Sequence, residues 1–193
     1  MTNSLKLVIL FLIISFSCSG PTKEQKEALD AKAQLEKDLN MYKDVWSRFF
    51  DGDTAIISNK YFTEDVVVVT SEGNLVGVEA VKNFYLNYFT GFSEIEFTIV
   101  DAFGQGDKIM KYWNFKGIHT GNFFGIPPSG NKLDLSGTTL VKIKDGRVTS
   151  EQDFFDMKSM LDQLMQTSGD VVVDAQTQGV LYCLLYTSPS PRD

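Results

Sequence analysis

The stretch WNFKGIHTGNFFGIPPSGNKLDLSGTTLVKIKDGRVTSEQDFFD, Trp113–Asp156, carries the reading of the fold. It crosses three strand-like segments. One runs from Ile109 to Thr120, one from Leu133 to Ile143 with apolar residues at every second position, and one from Val148 to Phe155. Period-two alternation is what a strand with one buried face requires. The Asp145-Gly146 pair supplies a turn between the last two. On the first segment, Ile109, Lys111, Trp113, Phe115, Gly117 and His119 share one face, and its large apolar members make it the inner one. His119 is the chain's only histidine.

Upstream, Thr22 and Gln25 have the spacing of a capping box. Leu35, Leu39, Tyr42, Trp46 and Phe49 follow at steps of four, three, four and three, one stripe of a helix that ends at Asp51-Gly52-Asp53. Its charged first half, to Lys37, is expected to be solvated. A second short helix is expected over 54–62, a β-branched strand over Val66 to Thr70, and a short pass to Gly77. A third helix, Val78 to Phe89, has Val81, Phe84, Tyr85 and Tyr88 on one side. A strand over Phe92 to Ala102 turns at Gly104-Gln105-Gly106-Asp107 into the Ile109 strand, and Met157 to Met165 closes as a helix. Helices gathered ahead of a run of antiparallel hairpins predict an α+β domain. Its curved antiparallel sheet should wrap around the N-terminal helices and leave a pocket at the open end.

The chain has 193 residues, 43% of them hydrophobic and 12% aromatic, with a net charge of −7. That composition supports a real core. Without a Lys/Arg cluster, no nucleic-acid footprint is present. Residues 1–17 place Lys6 before an apolar run, Leu7 to Phe16, which reads as a signal peptide. Cys18 behind it reads as a lipid-anchor cysteine. That puts the protein on the membrane of a bacterial cell envelope, with secretion or a periplasmic location as the alternative. Residues 18–37 form the anchor, tether and charged helix start, and 38–165 the domain proper. Residues 166–182 carry weak signals. Residues 183–193, CLLYTSPSPRD, resemble a translated transposase sequencing adapter and are read as an artefact. The domain between Cys18 and Cys183 has no cysteine, so neither a disulfide nor a thiolate metal site is expected in it.

Candidate chemistry is sparse. His119 on an inner face could shuttle protons, or sit as a satisfied core histidine. Asp153 and Asp156 point to opposite faces of a regular strand, so at most one meets the pocket. Asp156 shares the face of Val148 and Phe154, and also stands where an N-cap of the last helix belongs. Trp46, Trp113, Phe115, Phe123 and Phe154 are the expected substrate-binding lining. The loop Gly121 to Gly130 reads as a rigid hairpin connection or as a wall over the pocket mouth. No Gly-x-Ser-x-Gly elbow and no phosphate loop occur, and a single histidine supports no polyhistidine metal site.

Gly117-x-His119-Thr120-Gly121-x-Phe123-x-Gly125-Ile126-Pro127-Pro128-Ser129-Gly130, followed by Gly137, Asp145-Gly146-Arg147-Val148, Asp153-x-x-Asp156 and Leu161-x-Gln163-Leu164, resembles the SnoaL-like polyketide (ester) cyclases. These belong to the nuclear-transport-factor-2-like superfamily. The resemblance covers about residues 38–165. It implies a cone-shaped α+β barrel, often dimeric through its sheet. It also implies aldol-type ring closure of a small apolar carbonyl compound without metal or cofactor. By position, His119 matches the family histidine, and Asp153 or Asp156 the acid/base aspartate, with Asp156 favoured. Where that family usually has a tryptophan shortly before the aspartate, this chain has Gln152. Two functional expectations follow. One is a cofactor-free cyclase, isomerase or hydratase working through His119 and an aspartate. The other is a non-catalytic, small-ligand-binding envelope lipoprotein of the same fold.

Overall fold

The computed structural model describes residues 20–71 and 73–166. The expected signal peptide, the anchor candidate Cys18, residues 167–182 of the weakly patterned segment and the adapter-like tail therefore lie outside the described residues. The chain begins with α1 (Lys23–Phe50), opened by the Thr22/Gln25 capping box. The first turns of α1 stand in solvent, and Tyr42, Val45, Trp46 and Phe49 bury its second half. The short helix expected over 54–62 is a single 3-10 turn, Thr54–Ile56. Its residues 57–61 are instead drawn toward the start of β1 (Phe62–Thr70), where the Tyr61 carbonyl accepts from the Val148 N–H. The short pass is a strand, β2 (Gly73–Val76). Then follow α2 (Val78–Gly91), β3 (Phe92–Gln105), β4 (Lys108–His119), β5 (Lys132–Lys144), β6 (Arg147–Phe155) and α3 (Met157–Met165).

The six strands form one sheet in the order β2-β1-β6-β5-β4-β3. The hairpins β3–β4, β4–β5 and β5–β6 are antiparallel, as the alternation predicts. The β1–β6 pairing is parallel, so the sheet is mixed. Sequence patterns show where the longer strands run; they do not show which non-consecutive strands pair. At Asp145-Gly146 both residues are left-handed, with φ of 50° and 70°, the geometry that closes a two-residue hairpin without splaying its strands.

Breaks in register set which side chains face inward. Within β6, Val148 pairs with Ile143 but Ser150 pairs with Lys142. Thr149 is the extra residue of this bulge, which inverts the alternation beyond it. Val148 is inward, yet so are Glu151 and Asp153, while Phe154 is 48% exposed. Within β3 the register shifts between Ser93 and Glu96 and again between Ile99 and Asp101.

The concave face of the sheet holds two apolar clusters. One joins α1, α2 and β1 to Ile109, Val141, Ile143 and Val148. The other joins Phe92, Trp113, Phe115, Phe123, Leu133 and Leu135 to α3. Phe50, Tyr88 and Phe97 pack against both. Polar side chains from five elements meet where the two clusters adjoin.

Candidate functional site

The inner face of β4 behaves as its alternation predicts: Ile109, Lys111, Trp113, Phe115 and His119 are all buried. The ladder carries that face sideways. Lys111 pairs with Thr139 of β5, and Thr139 with Asp153 of β6; one inner position away, Val141 pairs with Glu151. From the helices, Tyr42 of α1 and Tyr85 of α2 project onto this patch. Tyr42 donates a short hydrogen bond to Glu151 Oε1. The Tyr85 hydroxyl lies 3.1 Å from Glu151 Oε2 and 3.1 Å from Asp153 Oδ2. Trp113 Nε1–H donates to Thr139 Oγ1 at 3.0 Å, and Thr139 in turn donates a short bond to Asp153 Oδ1. A continuous chain of hydrogen bonds thus links Trp113, Thr139, Asp153, Tyr85, Glu151 and Tyr42.

Burial controls the protonation of this chain. Glu151 is 1% exposed, and loss of water pushes its carboxyl up to about 6. Lys111 pulls it down, and Asp153 adds to the rise. The Tyr42 and Tyr85 phenols are raised well above their ordinary value, first by burial and then by the adjacent carboxylates, so both stay protonated donors. Tyr88 is raised for the same first reason. A phenol has one proton to give, yet Tyr85 touches two carboxyl groups. Its single proton is shared between them. The Tyr85 hydroxyl thus bridges the Glu151 and Asp153 carboxyl groups.

Lys111 is 3% exposed. Its Nζ lies 4.5 Å from the Trp46 ring centroid, 5.1 Å from that of Tyr42 and 5.5 Å from that of Phe97. Desolvation lowers its pKa, against the pull of Glu151 and Asp153.

The residues singled out from sequence divide. Asp153, Trp113 and Trp46 belong to this centre. Phe115 and Phe123 are buried in the second apolar cluster and touch its aromatic neighbours, Phe115 meeting Phe50 and Tyr88. Phe154 is a correction: it stands on the outer face, because the β6 bulge inverts the regular phase. Asp156 is another, since it faces solvent and its carboxylate accepts from the Ser159 N–H at 3.0 Å as the N-cap of α3. His119 is fully buried but eight residues along β4 from Lys111, about 26 Å of strand at roughly 3.3 Å per residue. Its ring lies beside Phe92 at 5.3 Å, and Nδ1 faces the Ser129 hydroxyl at 3.1 Å and the Ser129 N–H at 3.4 Å. Burial lowers its pKa, which keeps it neutral. It pins the 120–131 loop to the end of β4, and the expected histidine–aspartate couple is not brought together.

Lys111, Tyr42, Tyr85, Thr139 and Glu151 escaped the sequence reading. Signals existed for three. Lys111 interrupts an otherwise apolar inner face, and Tyr42 and Tyr85 lie on the buried stripes of their helices. Glu151 had none, because regular alternation from Val148 turns it outward.

Two surface clefts lie elsewhere. One, of about 490 Å³, opens between the 3-10 turn, β2 and the start of α2, beside Ile57, Asn59, Glu64 and Val78. The other lies by Arg48 and Tyr61. Neither is lined by Glu151, Asp153, Tyr85 or Lys111. Among the described residues no group of three or more His, Cys, Asp or Glu side chains is disposed to hold a metal ion.

Solved structures share this architecture. A protein from Jannaschia sp. CCS1 described as a SnoaL-like polyketide cyclase is 23% identical, with a TM-score of 0.59 over 66% of this chain and 94% of its own. AclR from Streptomyces galilaeus, described as a hydroxylase, is 16% identical, with a TM-score of 0.60 over 78% of this chain and 95% of its own. IdmH from Streptomyces antibioticus, described as a polyketide cyclase, is 20% identical, with a TM-score of 0.55 over 66% and 97%. At such identities these likenesses establish the fold alone. Among curated proteins none matches the chain. The family model for SnoaL-like polyketide cyclases matches residues 38–164, from the buried half of α1 to the end of α3. With that match spanning every strand that builds the polar centre, the chain belongs to the SnoaL-like polyketide cyclase family.

Proposed function

We propose that the protein is a cofactor-independent acid–base catalyst of the cyclase or isomerase type. Its substrate is a small apolar carbonyl compound, and Glu151 and Asp153 move the proton. One observation carries this reading: a single phenol, Tyr85, bridges two carboxyl groups inside an aromatic-lined interior. A carboxyl near pH 6 in such surroundings is poised both to take a proton from a carbon beside a carbonyl and to return it. Tyr42 and Tyr85 are donors suited to a developing enolate oxygen. The pair replaces the His119–aspartate couple expected from sequence.

The test is exchange of α-hydrogens of cyclohexanone for deuterium in D2O, followed by NMR. Wild type should exceed buffer, and Glu151→Gln or Asp153→Asn should lose about 10²–10⁴-fold, the usual range for a positioned general base. A wild-type rate equal to buffer, for this ketone and for larger cyclic diketones, sinks the proposal. The second reading is ligand binding without turnover. It is favoured by the closed interior around Glu151, and would be supported by a tightly co-purifying apolar compound in a protein that exchanges no protons. Two further parts of the proposal rest on the sequence and on one surface. Cys18 anchors the chain to the cell envelope, so that Cys18→Ser should move it from the detergent phase to the aqueous phase. Two copies associate through the outer face of the sheet.

A further inference from the structure

We propose that the Phe124 ring stands in for a ligand: it fills a stacking site on Phe84 and Tyr88 that takes a flat, apolar aromatic ketone in its place. The ketone half of that statement rests on the acid–base reading; the ring half does not. Phe124 sits at the tip of the 120–131 loop. The Phe123 and Ile126 N–H and C=O groups pair reciprocally there, at 3.0 and 2.9 Å, around the two residues between them. Those two, Phe124 and Gly125, have φ of 46° and 85°. A two-residue turn with both central residues at positive φ ordinarily holds Asn-Gly, Asp-Gly or Gly-Gly. A phenylalanine at positive φ is strained, because its Cβ crowds the carbonyl that follows. The turn itself calls for no aromatic residue. What offsets the strain is the ring's seat, with its centroid 5.1 Å from Phe84, 5.8 Å from Tyr88 and 4.8 Å from Phe123. The seat is shallow: Phe124 stays 45% exposed. The closed arrangement thus sets ring contacts against backbone strain, and a ring from outside can replace the contacts while the strain is released.

Beneath Phe124 the way in is aromatic and leads to the acid. Phe84 and Tyr88 stand one turn apart on α2, with ring centroids 6.2 Å apart. Tyr85 lies 5.2 Å from Phe84 and 6.4 Å from Tyr88, and its hydroxyl is the one that bridges Glu151 and Asp153. Of those two carboxyl groups Asp153 is half-buried and Glu151 closed off, so the pair is reached from the Asp153 side. Among the described residues the Tyr88 hydroxyl has no hydrogen-bond partner, and Asp153 acts on it electrostatically. A ring seated on Phe84 and Tyr88 therefore meets a phenol with a donor to spare for its carbonyl oxygen. The remainder of the loop is fastened independently of Phe124. His119 meets Ser129, Asn131 Nδ2 donates to the Leu164 carbonyl at 3.0 Å, and the Gly121 N–H bonds to the Gly91 carbonyl. Displacement of the ring is confined to the Phe123–Ile126 turn.

The full chain is titrated with 2-acetylnaphthalene, and binding is read as quenching of Trp46 and Trp113, the chain's two tryptophans, both buried in this interior. Phe124→Asn gives the turn a residue that tolerates positive φ and removes the competing ring. It should bind at least about tenfold tighter than wild type, since a site filled by the protein's own ring is open for only a fraction of the time and the apparent affinity falls by that fraction. Phe84→Leu keeps the apolar bulk and loses the stacking face; added to Phe124→Asn, it should abolish the gain. Both substitutions leave the hydrogen bonds of the polar centre in place. Equal or weaker binding by Phe124→Asn overturns the proposal, as does a gain that survives Phe84→Leu, or the absence of quenching in both wild type and Phe124→Asn. Cyclohexanone exchange reads the acid–base pair separately: exchange at the buffer rate beside tighter binding by Phe124→Asn sinks that pair and leaves this site standing.

Discussion

Glu151 is a carboxylic acid only 1% exposed. Its carboxyl sits in an aromatic interior, tied to two phenols, with its pKa raised to about 6. Between its ordinary value of 4.5 and about 6, the folded protein binds more protons at this group than the unfolded chain does. Stability is therefore lost as pH rises through that window, by about 2 kcal/mol in total. His119 acts oppositely: its lowered pKa makes stability fall as pH drops below 6.5. The difference between wild type and Glu151→Gln removes the histidine's share. Urea denaturation from pH 4.5 to 7 should show wild type losing about 2 kcal/mol relative to Glu151→Gln as pH rises. Parallel profiles for the two proteins would mean that Glu151 is not held in this state.

At the scale of elements, irregularity matters more than pattern. The β6 bulge at Thr149 turns Glu151 and Asp153 inward together and sends Phe154 out. Asp156, three residues beyond Asp153, is thereby left to start α3 rather than to face the interior. Asp156→Ala should cost about 1 kcal/mol, the usual worth of an N-cap, read as a lower urea midpoint. It should leave ketone exchange at the wild-type rate. A large loss of exchange with full stability would return Asp156 to the chemistry. The 120–131 loop is likewise positioned by an element end. The His119 N–H and C=O pair with Asn131 and Gly130, the Thr120 and Gly121 N–H groups bond to the Gly91 carbonyl, and the ring meets Ser129. Gly121 cannot carry a side chain there, since a Cβ would lie 2.1 Å from the Thr90 carbonyl oxygen.

For the whole molecule, the convex side of the sheet is the unfinished surface. The register lays Asp101, Tyr112, Thr138 and Phe154 in one outer row, and Phe103, Met110, Leu140 and Gln152 in the next. Phe103 is 62% exposed and Val100 54%. This is the surface that the dimer proposed above would cover. Sedimentation velocity should find a dimer in wild type and a monomer in Phe103→Glu/Phe154→Glu, with ketone exchange per chain changed little. A wild-type monomer at all concentrations would remove the dimer.

The sequence by itself determined the order of α1, α2, α3 and the five longer strands, the capped α1, the hairpins with their Asp-Gly turn, the inner face of β4 and the family. Each of these is written in local periodicity, in turn chemistry or in a contiguous motif. Only the tertiary structure decided which groups meet. The parallel β1–β6 pairing, the bulge that inverts β6, and the arrival of Tyr42 and Tyr85 from two helices depend on contacts between residues far apart in the chain. Local periodicity carries no information about such contacts. A one-residue bulge exchanges the two faces of a strand without altering its composition. Hence Asp153 was visible but could not be separated from Asp156, and Glu151 stayed hidden.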